Sequence, residues 1–554
     1  MPASISSRFW LWLFVLVLGA SLFVGLGSWG VLESSEARYA EIGREMLTGH
    51  DWLHPRLLGI QHFHKPPLTY WLTAAGLALA GPTALGVRLL PVLAVLGQIG
   101  LVYGLGLLLF AQDRGRALAA AVVYGTLPVV LISALNVTTD VYLQTLELTA
   151  TYGILRYYHD GGRRWLYLFW GGLGLAFLTK GPVGFVLPLM AIAGFYFREK
   201  QVRRPFTGHH LLGLGLFALL GLSWYLYLMA ENPAFIRYFL FQHTVERFAN
   251  PETFGRSKPW WFYLVLAPAT SLPWSVALIT QAIRTGWADL PRAWRNVLLF
   301  WVLLPLGFFS LSGSKLLLYV LPIFPGVALL TVYYLGRLTD AALNRWYIGI
   351  GGFYGLVLAA LCLLPVFVGM LPVPVAVSPG VALGPAAGII LLVLQHALWD
   401  EVRVAPRLLV TAVIFTATLL LTVKPILRQN ELAGNSTRPL AEWLRTRHLD
   451  QGLVLVYDEL LPSLAFELDQ LPITLQHDNH QARRETQFEV PNSWHRLLVD
   501  VNDSTQQPYL KSLLAQHPVL VVKGELEPFR AWMLPYFPQQ ERIGPWTIYY
   551  SVWR

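Results

Sequence analysis

Residues 346–371 read WYIGIGGFYGLVLAALCLLPVFVGML, an apolar run without one charged side chain. Wound as an α-helix it is about 39 Å long, more than the ~30 Å hydrocarbon core of a bilayer. A helix on the surface of a soluble protein would show a polar stripe, and this one shows none. Working outward from it, similar runs lie at 380–398 and 406–424 on one side. On the other they lie at 316–336, 296–312, 262–283, 209–229, 181–197, 165–179, 140–157, 116–134, 84–110 and 8–28. By length alone this predicts a polytopic α-helical membrane protein with about 13 transmembrane helices.

The composition agrees. Charged residues make up 13% of the chain, roughly half the usual share in soluble proteins. The formal net charge is +9, but the basic residues are scattered through short loops, which argues against nucleic acid and for a membrane orientation signal. The single cysteine, Cys362, lies in the opening run, so an intrachain disulfide and a cysteine metal cluster are both excluded. The first 30 residues have one basic residue, Arg8, before a long apolar stretch, and are expected to be an uncleaved first span.

Basic residues recur in every second loop. They are Arg8, Arg114 and Arg116, Arg163 and Arg164, Arg198 to Arg204, Arg284 to Arg295, Arg337 and Arg345, and Arg403 and Arg407. The positive-inside rule makes this set cytoplasmic, with the N-terminus. The alternate set holds 29–83, the link at Asp140, Lys180-Gly181-Pro182, 230–261, Ser314-Lys315 and all residues after 425. It faces the periplasm of a bacterial inner membrane. The expected division is a transmembrane domain, 1–425, with loops and interfacial helices at 29–83 and 230–261, and a periplasmic α/β domain, 426–554. In the latter, alternation at 453–457, 518–522 and 546–550 predicts strands, and a helix starts near 439.

The outer set collects reactive side chains. The acids are Glu36 and Asp140, the bases Arg38, Lys65, Lys180, Arg247 and Lys315, with His243, Tyr39 and Tyr319 beside them. Positive-inside bias should deplete cations there, so their presence asks for an anion at headgroup depth, such as a lipid phosphate. Ala40 to Leu47 has the spacing of an amphipathic helix lying in the interface.

These residues resemble a known family. Glu33-Ser34-Ser35-Glu36-Ala37-Arg38-Tyr39, Phe63-His64-Lys65-Pro66-Pro67, Leu178-Thr179-Lys180-Gly181-Pro182, His243 with Arg247-Phe248, and Lys315-Leu316 with Tyr319, Leu321 and Pro322 resemble motifs of the bacterial GT-C glycosyltransferases. The lipid A aminoarabinose transferases (ArnT-like) are the nearest, and the protein O-mannosyltransferases are their kin. The resemblance runs over about residues 8–425. It implies a GT-C fold and inverting transfer of a sugar, 4-amino-4-deoxy-L-arabinose by analogy, from undecaprenyl phosphate to a periplasmic acceptor such as lipid A phosphate. It places Lys65, Lys180 and Arg247 on the donor phosphate, with Arg38, Tyr39, Lys315 and Tyr319 in the donor site and Glu36 or Asp140 as the catalytic carboxylate. The alternatives are a protein O-glycosyltransferase and a non-enzymatic lipid transporter. A monomer is expected.

Two positions depart from the family pattern. Ser35 stands where relatives carry Asp, which leaves Glu36, Glu33 or Asp140 to supply the carboxylate. His64 stands where they carry Glu, and a divalent metal such as zinc would be held by His64 with His243.

Overall fold

The structure, a computed structural model, describes residues 7–195, 206–239, 258–286, 289–370, 372, 374–479, 486–490 and 493–551. It divides into two compact units. Unit 1 holds 1–25, 91–367 and 378–423; unit 2 holds 26–90, 368–377 and 424–554.

Unit 1 is helical. Among the described residues of the whole chain, eight helices are long and apolar enough to cross a bilayer, or ten if two sharply bent pairs each count as one span. The chain is a multi-span membrane protein. Three features separate this count from the 13 apolar runs of the sequence. The first helix, Ser7–Phe23, is short. The runs at 165–179 and 181–197 join through a single 3-10 turn into one element, Arg163–Gly194. The run at 140–157 becomes the helix Thr139–Asp160, whose Asp140, Glu147 and Arg156 make it too polar for the test.

The helices Thr139–Asp160 and Arg163–Lys180 form an antiparallel hairpin. The turn is Gly161, left-handed at φ 72°, which a residue without Cβ adopts without strain. Two further glycines let the backbones touch. A Cβ on Gly153 would stand 2.8 Å from Phe169 N, and one on Gly172 3.1 Å from Ala150 N. Small residues at such contacts are the usual means of close packing between membrane helices. Because the hairpin is antiparallel, the start of its first helix and the end of its second meet. Asp140 lies in the first turn and Lys180 in the last, each with the sign that its helix end favours.

Unit 2 is α/β. A two-stranded hairpin, β1 (Arg56–Leu57) and β2 (Ile60–Gln61), follows the helix Ser35–Gly49. The sheet contains β3 (Val454–Tyr457), β4 (Ile473–Gln476), β5 (Leu498–Asp500), β6 (Val519–Lys523), β7 (Gln539–Ile543) and β8 (Trp546–Tyr550) in the order β5-β4-β3-β6-β8-β7. The first four are mutually parallel, and β7 and β8 close one edge antiparallel. Alternate residues of β3 and β6 feed two cores. Leu455, Tyr457, Leu520 and Val522 pack with Leu510 and Leu514, while Val454, Val456, Val519 and Val521 pack with Leu440 and Leu444. Burial on both faces is what a parallel sheet covered by helices requires.

Two expectations change here. Residues 29–83, assigned from sequence to the transmembrane domain, group with the C-terminal domain. The cause is polar pairing: Ser463 N donates to Glu33 Oε1 at 2.7 Å, and Arg44 Nη1 to Asp469 Oδ1 at 2.7 Å. The helix Ser35–Gly49 is also not an interfacial helix with one wet face. Ala37, Ala40, Ile42 and Met46 are buried, and so are Glu36, Glu41 and Arg44. It packs on Leu68–Ala80 and Pro462–Leu468.

Candidate active site

In unit 1 the hairpin delivers a buried ion pair. Lys180 Nζ stands 2.6 Å from Asp140 Oδ1, with the two side chains 9% and 8% exposed. Forty residues separate them in sequence. The same ammonium lies 3.8 Å from the centre of the Tyr319 ring, a cation–π contact that strengthens away from water. Tyr319 belongs to the 3-10 segment Leu317–Ile323, which is anchored where Tyr263 Oη donates to Leu316 O at 2.8 Å. Lys315, also buried, donates to Lys258 O and Ser312 O. Three of the sequence candidates, Asp140, Lys180 and Tyr319, therefore meet in one place. Glu147, two turns below Asp140 on the same helix, is fully buried. Neither of its carboxyl oxygens has a hydrogen-bond partner by geometry.

In unit 2, Glu36 is held by a residue that the motif reading passed over. Arg88 donates Nε to Glu36 Oε1 at 2.8 Å and Nη2 to Oε2 at 2.7 Å. Its other bonds go to Leu26 O, Trp29 O and Gly30 O at 3.1, 2.9 and 2.8 Å. The five donors of the guanidinium are thus all used. The pair is 0% and 1% exposed, and the guanidinium also lies 4.1 Å over the Trp29 ring. Glu36 Oε2 accepts from Leu32 N at 2.9 Å as well. Its carboxylate is spent on holding the chain at the start of the Ser35–Gly49 helix. The available signal was one charge inside an apolar run, which needs a partner.

Glu33 is placed differently. Oε1 accepts from Ser463 N, but Oε2 is buried without a partner. Burial pushes this carboxyl up to about 7, against the lowering pull of Ser463 and Arg38. Burial also raises Glu41, Glu45 and Glu467. Each of these folded-state values exceeds the unfolded one. The folded chain therefore holds protons that the unfolded chain has released, and the stabilisation is full below the unfolded value and lost as pH rises through the folded one. Thermal stability is expected to fall between about pH 5 and 8, and the Glu33→Gln variant to show a shallower fall. Melting curves of purified protein across that range measure both slopes, and equal slopes would remove Glu33 as a contributor.

The remaining candidates are distributed as follows. Arg38 and Tyr39 lie on the Ser35–Gly49 helix, with the Tyr39 ring 5.6 Å from that of Tyr70. Lys65 is half-buried just before Leu68–Ala80, and the His64 ring lies 4.1 Å from that of His62. His243 and Arg247 fall outside the described residues. Among the described residues no group of three or more His, Cys, Asp or Glu is arranged to hold a metal. His64 is one candidate ligand, and no step below runs through a metal.

The fold is that of ArnT from Cupriavidus metallidurans bound to undecaprenyl phosphate: TM-score 0.74, 23% identity, 98% of each chain covered. The apo form of the same protein gives the same TM-score. Residues 64–228 match the family described as dolichyl-phosphate-mannose-protein mannosyltransferase. An undecaprenyl phosphate-alpha-4-amino-4-deoxy-L-arabinose arabinosyl transferase of Pseudomonas aeruginosa is 34% identical over 330 residues, 57% of this chain and 58% of the relative. The corresponding protein of Pectobacterium atrosepticum is 32% identical over 377 residues, 66% of each. The chain is ArnT-like in sequence and in fold. It spans 58% of the length of the Pseudomonas aeruginosa relative that it matches. In this ArnT-like chain the described site is built on the Thr139–Asp160 and Arg163–Lys180 hairpin, and the part of that hairpin legible as a motif was Lys180-Gly181-Pro182.

Proposed function

We propose that this ArnT-like chain is an inverting glycosyltransferase that takes a sugar from undecaprenyl phosphate and delivers it to a periplasmic acceptor. The observation that carries this is the buried Lys180, paired with Asp140 and capped by Tyr319. A cation removed from water stabilises charge that grows on a leaving group more strongly than a solvated one does. In the reaction, an acceptor oxygen bonds to the anomeric carbon as the bond from that carbon to the phosphate oxygen breaks. The electron pair leaves with the phosphate, which becomes a dianionic monoester. Lys180 turns from Asp140 towards it, and Lys315, with two of its three N–H groups given to backbone carbonyls, has a third for the same anion. Lys65, Arg38, Tyr39 and Arg247 are proposed as further donor-site groups.

A phosphate acceptor needs no base. A hydroxyl acceptor does, and of the three carboxylates Glu33 fits best: it has an uncommitted oxygen and a value near 7, where one group can both take and release a proton. The names of the sequence relatives favour aminoarabinose as the sugar, and the phosphate of lipid A is proposed as the acceptor. The family match over 64–228 favours a second reading, transfer to protein hydroxyls. The proposed location is the bacterial inner membrane, with the N-terminus cytoplasmic and the C-terminal domain periplasmic.

Purified protein given undecaprenyl-phosphate aminoarabinose is expected to release undecaprenyl phosphate only when lipid A is added. Release with an acceptor peptide instead would move the assignment to the second reading. No release with either acceptor would refute transfer.

A further inference from the structure

Unit 2 carries a polar cluster that the proposed transfer does not use. The chain leaves β3 for β4 and β5 along one direction of the sheet, then crosses back to β6 on the other side of β3. The two connecting helices lie on opposite faces, Pro462–Leu468 in the core with Val454 and Gln507–Leu514 in the core with Leu455. β3 and β6 are therefore neighbours whose connections part company. In open α/β sheets ligands bind at such a switch point, beyond the carboxyl ends of the strands.

At this edge Tyr457, the last residue of β3, donates Oη to Glu527 Oε2 at 2.6 Å, across to the segment that follows β6. Beside them Arg530 is only 8% exposed. Its guanidinium donates to Val501 O at 3.2 Å and to Asn502 Oδ1, and stands 3.4 Å from His477 Nδ1. Asn502 Nδ2 reaches the same ring nitrogen at 2.9 Å. His477 Nδ1 thus faces both donors. Arg530 also interacts with Tyr457, whose hydroxyl is bonded to the Glu527 carboxylate. The Arg530 Nε is buried without a partner. The Glu527 carboxylate of this cluster is engaged by Tyr457, and Arg is the side chain best shaped to take a further phosphate or carboxylate. The second observation is an exposed ring. Phe529 is 58% exposed, with the Arg530 guanidinium 5.0 Å and the His477 ring 5.3 Å from its centre.

We propose that this edge is a binding site for an anionic sugar. The Arg530 guanidinium takes the phosphate or carboxylate, the Phe529 face takes the apolar side of the sugar ring, and Glu527 and Asn502 accept from its hydroxyls. An arginine that merely ties strand ends together would need no flat exposed partner.

The test uses full-length protein in detergent carrying Lys180→Met, which weakens phosphate binding at the unit 1 site. Calorimetric titration compares a hexose 1-phosphate, the matching methyl hexoside and inorganic phosphate. Saturable binding of the hexose 1-phosphate is expected. Phe529→Ala should weaken it about fivefold and leave inorganic phosphate unchanged. Arg530→Gln should weaken both phosphate-bearing ligands about tenfold. If Arg530→Gln fails to fold by its melting curve, the surface variant Phe529→Ala decides alone. Absence of saturable binding, or unchanged hexose 1-phosphate affinity in Phe529→Ala, overturns the proposal.

Discussion

Replacing Lys180 by methionine is expected to lower sugar transfer roughly 10²- to 10³-fold, the usual cost of removing one preorganised group from a developing negative charge. Methionine keeps the length and apolar stem of lysine, so packing against Tyr319 survives while the charge goes. The substitution also leaves Asp140 buried without its partner, and that loss alone destabilises. The double variant Lys180→Met/Asp140→Asn separates the two effects. It should recover thermal stability but not transfer, because the neutral amide relieves the orphaned charge without restoring a cation. The measurement is kcat at saturating donor, beside melting curves of the same preparations. A single variant within about threefold of wild type would show that charge at this position is not what stabilises the leaving phosphate.

The second large effect concerns folding. Arg88→Met removes five hydrogen bonds and strands Glu36 in the interior. Breaking a buried pair in this way costs about 3–5 kcal/mol, which corresponds to a fall in Tm of roughly 6–20 °C. Adding Glu36→Gln should return part of it, and the double-mutant cycle isolates the interaction of the two side chains. The prediction also bears on mechanism. If Glu36 is a structural anchor, transfer by the folded fraction of Glu36→Gln stays near wild type. If it is also a base, transfer by the folded fraction collapses.

Membrane class, the terminal sheet domain and the residues of the unit 1 site could all be read from the chain itself. Long uncharged runs have one physical outcome, and a lysine beside Gly-Pro between two of them needs an anion wherever it folds. What could not be read was pairing over distance. Asp140 could be read as an acid on the outer face, and only the antiparallel hairpin shows that it opposes Lys180. Glu36 looked available because its partner lies 52 residues away inside an apolar run. The number of spans is not legible from length alone, which cannot tell two short helices from one helix with a tight turn, as at Lys180 to Phe185. The grouping of residues 26–90 with the C-terminal domain was invisible for the same reason, since it rests on contacts more than 400 residues apart, such as those of Glu33 and Arg44.

That grouping sets an order of events during synthesis. Residues 26–90 leave the ribosome early, and residues 424–554, which complete the same unit, leave last. At ~5–20 residues per second the interval is roughly 20 to 70 s. Throughout it Glu33 lacks the Ser463 amide and Arg44 lacks Asp469, while most of the spans are being inserted. The early segment is left waiting, half built, at the membrane. A nascent chain that stops anywhere between 90 and 424 strands it in that state, so quality control of this protein can be exercised at its last quarter.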